Sequence, residues 1–226
     1  MYIDLSNIRG MGELEDFMKN ARKKRQGYIT KDSAFLSVAA IMSMRSKDPD
    51  TQNGACIVDQ NDRILSVGYN GLPLGCSDDD FPWNRHEEQS YMEKIPYVIH
   101  AENNAISNCP HRHDLVGSRM YLYSERGYFP CSFCAQAIIN ARIKAVIMAT
   151  VRFEPTDRYD WRPTIKMFQH CGIDMFVGCY SMGDVRSSGT FKDMSVRFAK
   201  VAELSAGLEN EAESQKHENQ APQQDK

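Results

Sequence analysis

No stretch of this sequence approaches the ~20 consecutive apolar residues that a membrane-spanning helix requires. The most apolar short segment, 35–44, is broken by Ser37 and Ser43. Basic charge is not in excess: 27 Lys and Arg against 30 Asp and Glu give a net charge of −3, with a pI near 6.1. That balance argues against a protein held on duplex nucleic acid by phosphate neutralisation. The first residues carry Asp4, Glu13, Glu15 and Asp16 without a long apolar core, so no secretory signal is expected. Cysteine is sparse and odd in number, with seven at positions 56, 76, 109, 131, 134, 171 and 179. In a reducing compartment such cysteines serve as buried small side chains, nucleophiles or metal ligands rather than disulfides. The expected location is therefore the cytoplasm. No internal repeat is present.

What remains is ordinary globular composition, with 42% hydrophobic and 25% charged residues in a chain of 226. At ~150 residues per domain, this length suits one compact domain with extensions. Residues 12–26 read as a helix with a basic end, Arg22-Lys23-Lys24-Arg25, stopped by Gly27. The basic run suits a solvated helix end better than a nucleic-acid arm. We expect an N-terminal helical extension over 1–29, a catalytic domain over 30–180 and a C-terminal extension over 181–204. Residues 205–226 lack periodicity and are almost devoid of apolar side chains, so a disordered acidic tail is expected.

Within the central region Thr30 can cap a helix reaching about Arg45, with Ala34, Phe35, Val38, Ile41 and Met42 at helical spacing. Residues 54–59 and 63–69 read as an antiparallel hairpin around an Asp-Gln-Asn-Asp turn. Residues 70–97 form a long loop, with one short helix around 87–93. A long loop inside a compact domain is often functional. Helices starting near His100, Cys131 and Pro163, the last stopped by Gly172, alternate with strands at 119–123, 143–149 and 173–177. This alternation predicts an α/β fold with helices on both faces of a sheet. The tight first connection makes that sheet mixed.

The informative constellation is His100-Ala-Glu102 followed by Pro130-Cys131-Ser-Phe-Cys134. One imidazole and two thiolates supply three zinc ligands and leave the fourth tetrahedral position open, as catalytic zinc sites do. Both segments open helices, where free N–H groups favour thiolate and oxyanion charge. Glu102, two residues past His100, points elsewhere than the ligand, so it can exchange protons with a water that zinc acidifies to a pKa of ~7. The His-x-Glu…Pro-Cys-x-x-Cys pattern resembles the signature of zinc nucleobase deaminases. The competing reading is a closed structural zinc site with Cys109 or His111 as fourth ligand, which leaves Glu102 without a role. Cys109, His111 and His113 with Cys76 and His86 could hold a second metal, although their spacing is not that of a standard site.

Several further segments resemble one family closely. Arg45-Ser-Lys-Asp-Pro49, Gly54-Ala-Cys-Ile-Val58, Gly68-Tyr-Asn-Gly-Leu-Pro73, Gly75-Cys-Ser-Asp-Asp79, Pro82-Trp83, His100-Ala-Glu-Asn-Asn-Ala-Ile106 and Phe129-Pro-Cys-Ser-Phe-Cys-Ala135 look like deoxycytidylate (dCMP) deaminase. The resemblance covers about residues 30–178. It implies a cytidine deaminase-like three-layer α/β/α sandwich with a five-stranded mixed sheet. It implies hydrolysis of dCMP to dUMP and ammonia, supplying thymidylate synthesis, by a homohexamer with dCTP and dTTP as allosteric effectors. His100, Cys131 and Cys134 would then hold Zn2+, and Glu102 would be the proton shuttle. Ala101 and Asn70 would contact the nucleoside. The alternatives are another free substrate (dCTP, CMP or cytidine) or a polynucleotide-editing deaminase.

The substrate's phosphate needs partners, and Arg45, Ser46 and Lys47 at a helix end can make charge-assisted bonds to it. Arg152 is a further candidate; its neighbour Phe153 stands where the family often has a phosphate-binding tyrosine. Gly71, Asp78 and Asp79 are candidates for an effector site, with Mg2+ accompanying the nucleotide. The link between Tyr121 and Pro130 is longer than the family's usual one.

Overall fold

The computed structural model describes residues 28–85, 88–150, 160–179 and 199–200, together with Gly12, Glu15, Lys19 and Lys24. Most of the expected N-terminal helix, Arg152, His86, the C-terminal extension apart from 199–200, and the acidic tail lie outside the described residues.

Helix α1 (Lys31–Ser43) begins at Thr30, whose side-chain oxygen accepts from Ser33 N–H at 3.1 Å, the expected cap. Strands β1 (Asn53–Val58) and β2 (Ile64–Tyr69) form the antiparallel hairpin. Next come α2 (Ala101–Ser107), β3 (Arg119–Ser124), α3 (Ser132–Asn140), β4 (Ala145–Thr150), α4 (Arg162–Cys171) and β5 (Asp174–Cys179). Helix α4 ends at Gly172 with φ +67°, a left-handed conformation that glycine adopts without strain. The expected helix around 87–93 is replaced by a three-residue 3-10 turn, Ser90–Met92. The chain is drawn inward immediately afterwards, where Lys94 N–H donates to the Asn84 carbonyl at 3.0 Å.

The sheet has the order β2-β1-β3-β4-β5, with a sixth strand beside β5. Its five long strands are the expected mixed sheet: β1 is antiparallel to β2 and β3, while β3, β4 and β5 run parallel. A two-residue strand, β6 (Ala199–Lys200), adds an antiparallel edge.

Period-two alternation divides the strands between two cores. Ala55, Ile57, Met120, Leu122, Val146 and Met148 face α2, α3 and α4, alongside Ala105, Ile138 and Phe168. Cys56, Val58, Tyr121, Tyr123, Ala145, Ile147 and Ala149 face α1, alongside Phe35, Leu36 and Ala39. Strands buried on both faces read as continuous apolar runs, which explains the run before Thr150. One helix on one face and three on the other give the three-layer sandwich.

The layers set where a site can form. The start of β1 lies opposite the end of β3 (Asn53 with Ser124) and the end of β2 (Gly54 with Tyr69). The starts of α2 and α3 reach the same rim. Ligands of open α/β sheets bind outside such carboxyl ends of the parallel strands.

Candidate metal centre and active site

Two helix starts carry the chemistry. His100 and Cys131 are the capping residues of α2 and α3, both with extended backbone (ψ 154° and 168°) and neither making a side-chain capping bond. Their side chains are instead turned toward each other. Cys134 lies in the first turn of α3 and is buried.

Helix α2 is held close to the sheet. A Cβ on Gly68 would lie 2.3 Å from the Ala105 nitrogen and 2.6 Å from the Ala101 carbonyl oxygen, so only glycine permits this approach. Ser66 Oγ donates to the Ala105 carbonyl at 2.7 Å, and Asn104 Nδ2 donates to the Tyr69 carbonyl at 2.7 Å. Helix α3 is tied from below: Thr164 Oγ1, fully buried, donates to the Pro130 carbonyl at 2.8 Å.

His100 Nδ1 lies 3.5 Å from Cys131 Sγ and 3.4 Å from Cys134 Sγ. The three ligand atoms all fall within 4.8 Å of one another, the only such group among the described residues. In a tetrahedral centre with Zn–S of ~2.3 Å and Zn–N of ~2.0–2.1 Å, nitrogen and sulfur stand about 3.6 Å apart. The observed edges match that spacing, and the mixed N,S,S donor set suits zinc. Three protein donors leave one tetrahedral position for water or substrate. Cys109, His111 and His113 form no metal-sized group, so neither the closed site nor the second site is assembled among the described residues.

The electrostatics are those of a charged cluster partly shielded from water. The Cys131 thiol is pulled down to about 4 by a hydrogen bond from Cys134 and by the His100 imidazole. Cys134 is pushed up by that same hydrogen bond and by burial. The His100 imidazole is raised to about 9 by its hydrogen bond with Cys131, against its burial. Glu102 is 8% exposed. Burial lifts its carboxyl above the usual range, opposed by the charge of His100.

A cleft of about 300 Å³ opens beside the cluster, its wall including His100, Ala101, Glu102 and Cys131 at one end and Arg85, Lys94 and Asp48 elsewhere. Asn70 is in this wall, but its amide is already engaged. Its Oδ1 accepts from Asn53 N–H at 2.8 Å, and its Nδ2 donates to the Thr51 carbonyl at 2.9 Å. Arg45, Ser46 and Lys47 stand outside the wall. The Arg45 guanidinium lies 6.0 Å from the Tyr69 ring centroid, Ser46 Oγ donates to the Asn70 carbonyl at 2.8 Å, and Lys47 pairs with Asp78. Gly71 exchanges two backbone bonds with Ile99 (3.1 and 2.8 Å), which fixes the approach to His100. Asp78 and Asp79 sit on the neighbouring loop, where the Asp78 carbonyl accepts from Trp83 Nε1 at 3.0 Å.

Thr51, Asn53, Arg85 and Lys94 were missed by sequence reasoning. They come from segments that are merely polar, and nothing in their spacing marks them.

An α/β sheet with a thiolate–imidazole metal centre at its rim, and a buried acid next to it, defines a zinc-dependent hydrolase. The chain belongs to the cytidine and deoxycytidylate deaminase zinc-binding family, whose profile matches residues 29–150. The deoxycytidylate deaminase of Homo sapiens is 45% identical over 135 residues, covering 60% of this chain and 73% of that protein. The probable deoxycytidylate deaminase of Drosophila melanogaster is 38% identical over 156 residues, covering 67% and 73%. The crystal structure of a dCMP deaminase from the cyanophage S-TIM5 is 24% identical, covers 64% of this chain and 94% of that one, and has a TM-score of 0.45.

Proposed function

We infer that this chain hydrolyses dCMP to dUMP and ammonia, with His100, Cys131 and Cys134 holding zinc and Glu102 carrying the proton. The observation behind the chemistry is the fit of the three ligand atoms to a tetrahedral zinc edge, with Glu102 in the same cleft wall. The choice of dCMP is supported by the relatives named deoxycytidylate deaminase, and the family profile spans all four residues.

Zinc, when bound, supplies the Lewis acidity that makes a water nucleophilic at neutral pH. Glu102 does the proton work. Burial raises its proton affinity, so it can take a proton from the water and deliver it to the pyrimidine ring nitrogen. It then passes a second proton to the departing amine. The C4–N bond breaks, a C4=O bond takes its place, and ammonia leaves. On this reading the backbone of Ala101, which is buried at the start of α2 and lines the cleft, would hold the pyrimidine carbonyl.

On this reading residues 30–180 are the catalytic domain and the enzyme works on free nucleotides in the cytoplasm. The free thiols of Cys56, Cys76, Cys109, Cys131, Cys134 and Cys171 suit a reducing compartment. Hexamer assembly and regulation by dCTP and dTTP, with Mg2+ and residues Gly71, Asp78 and Asp79, belong to the same proposal. Arg45, Ser46, Lys47 and Arg152 remain its candidates for phosphate contact.

An ammonia-release panel over dCMP, CMP, dCTP and cytidine tests it, run with and without dCTP or dTTP and Mg2+. Preference for dCMP is expected. Turnover of cytidine but not dCMP would overturn the substrate assignment. Turnover indifferent to both effectors would remove the regulatory part.

A further inference from the structure

Two consecutive asparagines on α2 face different neighbours. Asn104 Nδ2 donates to the Tyr69 carbonyl at 2.7 Å, so Asn104 belongs to the packing of α2 on the sheet. Asn103 turns toward α3 instead. Its Nδ2 lies 3.7 Å from Cys134 Sγ, a separation that suits an N–H donor on the large sulfur atom. Asn103 is half-buried, and neither it nor Cys134 lines the cleft. The amide therefore meets the metal-ligand cluster from outside the substrate's space. Successive residues of a helix point about 100° apart. Glu102 can thus face the cleft while Asn103, the next residue, faces α3.

The two sulfurs of the cluster are not equivalent. Cys131 is part-exposed and stands in the cleft wall, where water reaches it, whereas Cys134 is fully enclosed. A cysteine binds metal as the thiolate. Charge held away from water needs a donor inside the protein. His100 Nδ1, 3.4 Å from Cys134 Sγ, is not available for this task once it ligates the same metal. The Asn103 amide is available, because its N–H groups donate whatever the protonation of their neighbours. A thiolate only accepts, so the amide presents its nitrogen to the sulfur rather than its oxygen.

A hydrogen bond onto a ligating sulfur has two effects. It fixes the direction of the ligand, and it draws charge from the sulfur, so that less is passed on and the metal stays a stronger Lewis acid. Building on the zinc reading of this site, we propose that Asn103 is a positioning residue of the metal centre, donating its side-chain N–H to the Cys134 thiolate. The first turn of α2 then supplies a ligand, the acid and a donor to a second ligand on α3.

The test loads the full chain with Co2+ in place of zinc and compares the wild type with Asn103→Leu and Asn103→Gln. Leu has nearly the shape of Asn and removes the donor, while Gln keeps the amide on a flexible stem one methylene longer. In Asn103→Leu the sulfur-to-cobalt charge-transfer absorption should move to longer wavelength, because a thiolate without its donor gives up an electron more easily. The visible bands of tetrahedral cobalt should keep their intensity, since His100, Cys131 and Cys134 remain. The zinc dissociation constant, read by competition with a chromogenic chelator, should rise about tenfold, the lower end of the range for loss of such a partner. For dCMP, kcat should fall by a similar factor with KM held within about twofold, as for a residue that does not touch substrate. Asn103→Gln should stand closer to the wild type on each of these readings. Asn103→Ala, which removes the amide without adding bulk, stands in for Asn103→Leu if the larger side chain fails to fold. A donor-free variant with the absorption and zinc affinity of the wild type overturns the role of Asn103 and leaves the zinc site intact. Equal shifts in the donor-free variant and in Asn103→Gln overturn it too, since they assign the effect to packing rather than to the amide. A wild type that takes up neither zinc nor cobalt stoichiometrically overturns the metal site itself.

Discussion

The Lys94 ammonium and the Asp48 carboxylate are paired inside the protein, with 2% and 3% of their side chains exposed. Lys94 reaches Asp50 as well, at 2.6 Å. Asp48 also accepts from the backbone N–H groups of Asp50 and Thr51 at 2.9 and 3.1 Å. The pair thus pins the segment leading to His100 against the loop that supplies Thr51 and Asn53. A buried ion pair is costly to break because the surviving charge stays buried.

Lys94→Met should therefore lower unfolding free energy by about 3–5 kcal/mol. Urea denaturation reads this as a lower midpoint at unchanged slope. Adding Asp48→Asn to that variant should recover part of the loss, since the stranded charge is then removed. A single variant as stable as the wild type would show that water reaches the pair.

Gly68→Ala places a methyl against the backbone of α2, 2.3 Å from the Ala105 nitrogen. Backbone cannot move aside as a flexible side chain can, so a loss of about 1–3 kcal/mol or more is expected. The shift would displace the helix that begins with His100 and Glu102. Zinc affinity, measured by competition with a chromogenic chelator, should fall together with thermal stability. Unchanged zinc affinity would mean that α2 moves without carrying its first turn.

Glu102→Gln removes the proposed proton carrier and keeps His100, Cys131 and Cys134, the proposed zinc ligands. Zinc content should stay stoichiometric, while ammonia release falls by roughly 10²–10⁴-fold, the range for loss of a general acid–base. Cys131→Ala should differ in kind, losing zinc and folded stability together because metal binding and folding are linked. Equal turnover in Glu102→Gln would refute the shuttle.

Asp62 joins Lys31 at the start of α1 to Arg119 of β3. Hydrogen bonds from Lys31 and Arg119 hold its carboxyl below the ordinary value. A depressed folded pKa gives stability that is present above the unfolded value of ~3.9 and lost as pH falls through the folded value. Asp62→Asn keeps a residue type that tolerates the positive φ of 64° at this position. Its stability deficit should be full at pH 7, shrink below about pH 4 and vanish in stronger acid. Thermal melts of both proteins across that range measure it. A deficit independent of pH would assign the effect to the backbone instead.

Local sequence determined much of this protein. Helical spacing and the Thr30 cap mark α1, and Gly172 marks the end of α4. The apolar run at 143–149 marks a strand buried on both faces. The gathering of His100, Cys131 and Cys134 beside Glu102 was legible because metal chemistry draws on those residue types at helix starts. Each of these signals is carried by neighbours along the chain, or by chemistry that few residues can perform.

Tertiary structure alone decided who lines the cleft. Lys94 and Asp48 read as loop charges until folding buries them together across 46 positions of sequence. Lys47 pairs with Asp78 on the neighbouring loop, and the Asn70 side chain ties together the strand ends beside it. Pairing of this kind depends on which segments the sheet order brings side by side, and no local pattern encodes that. The His–Cys–Cys cluster was predictable because its chemistry is rare, whereas the polar wall around it was not, because Thr, Asn, Arg and Lys acquire a role only from the partners that the fold supplies or withholds.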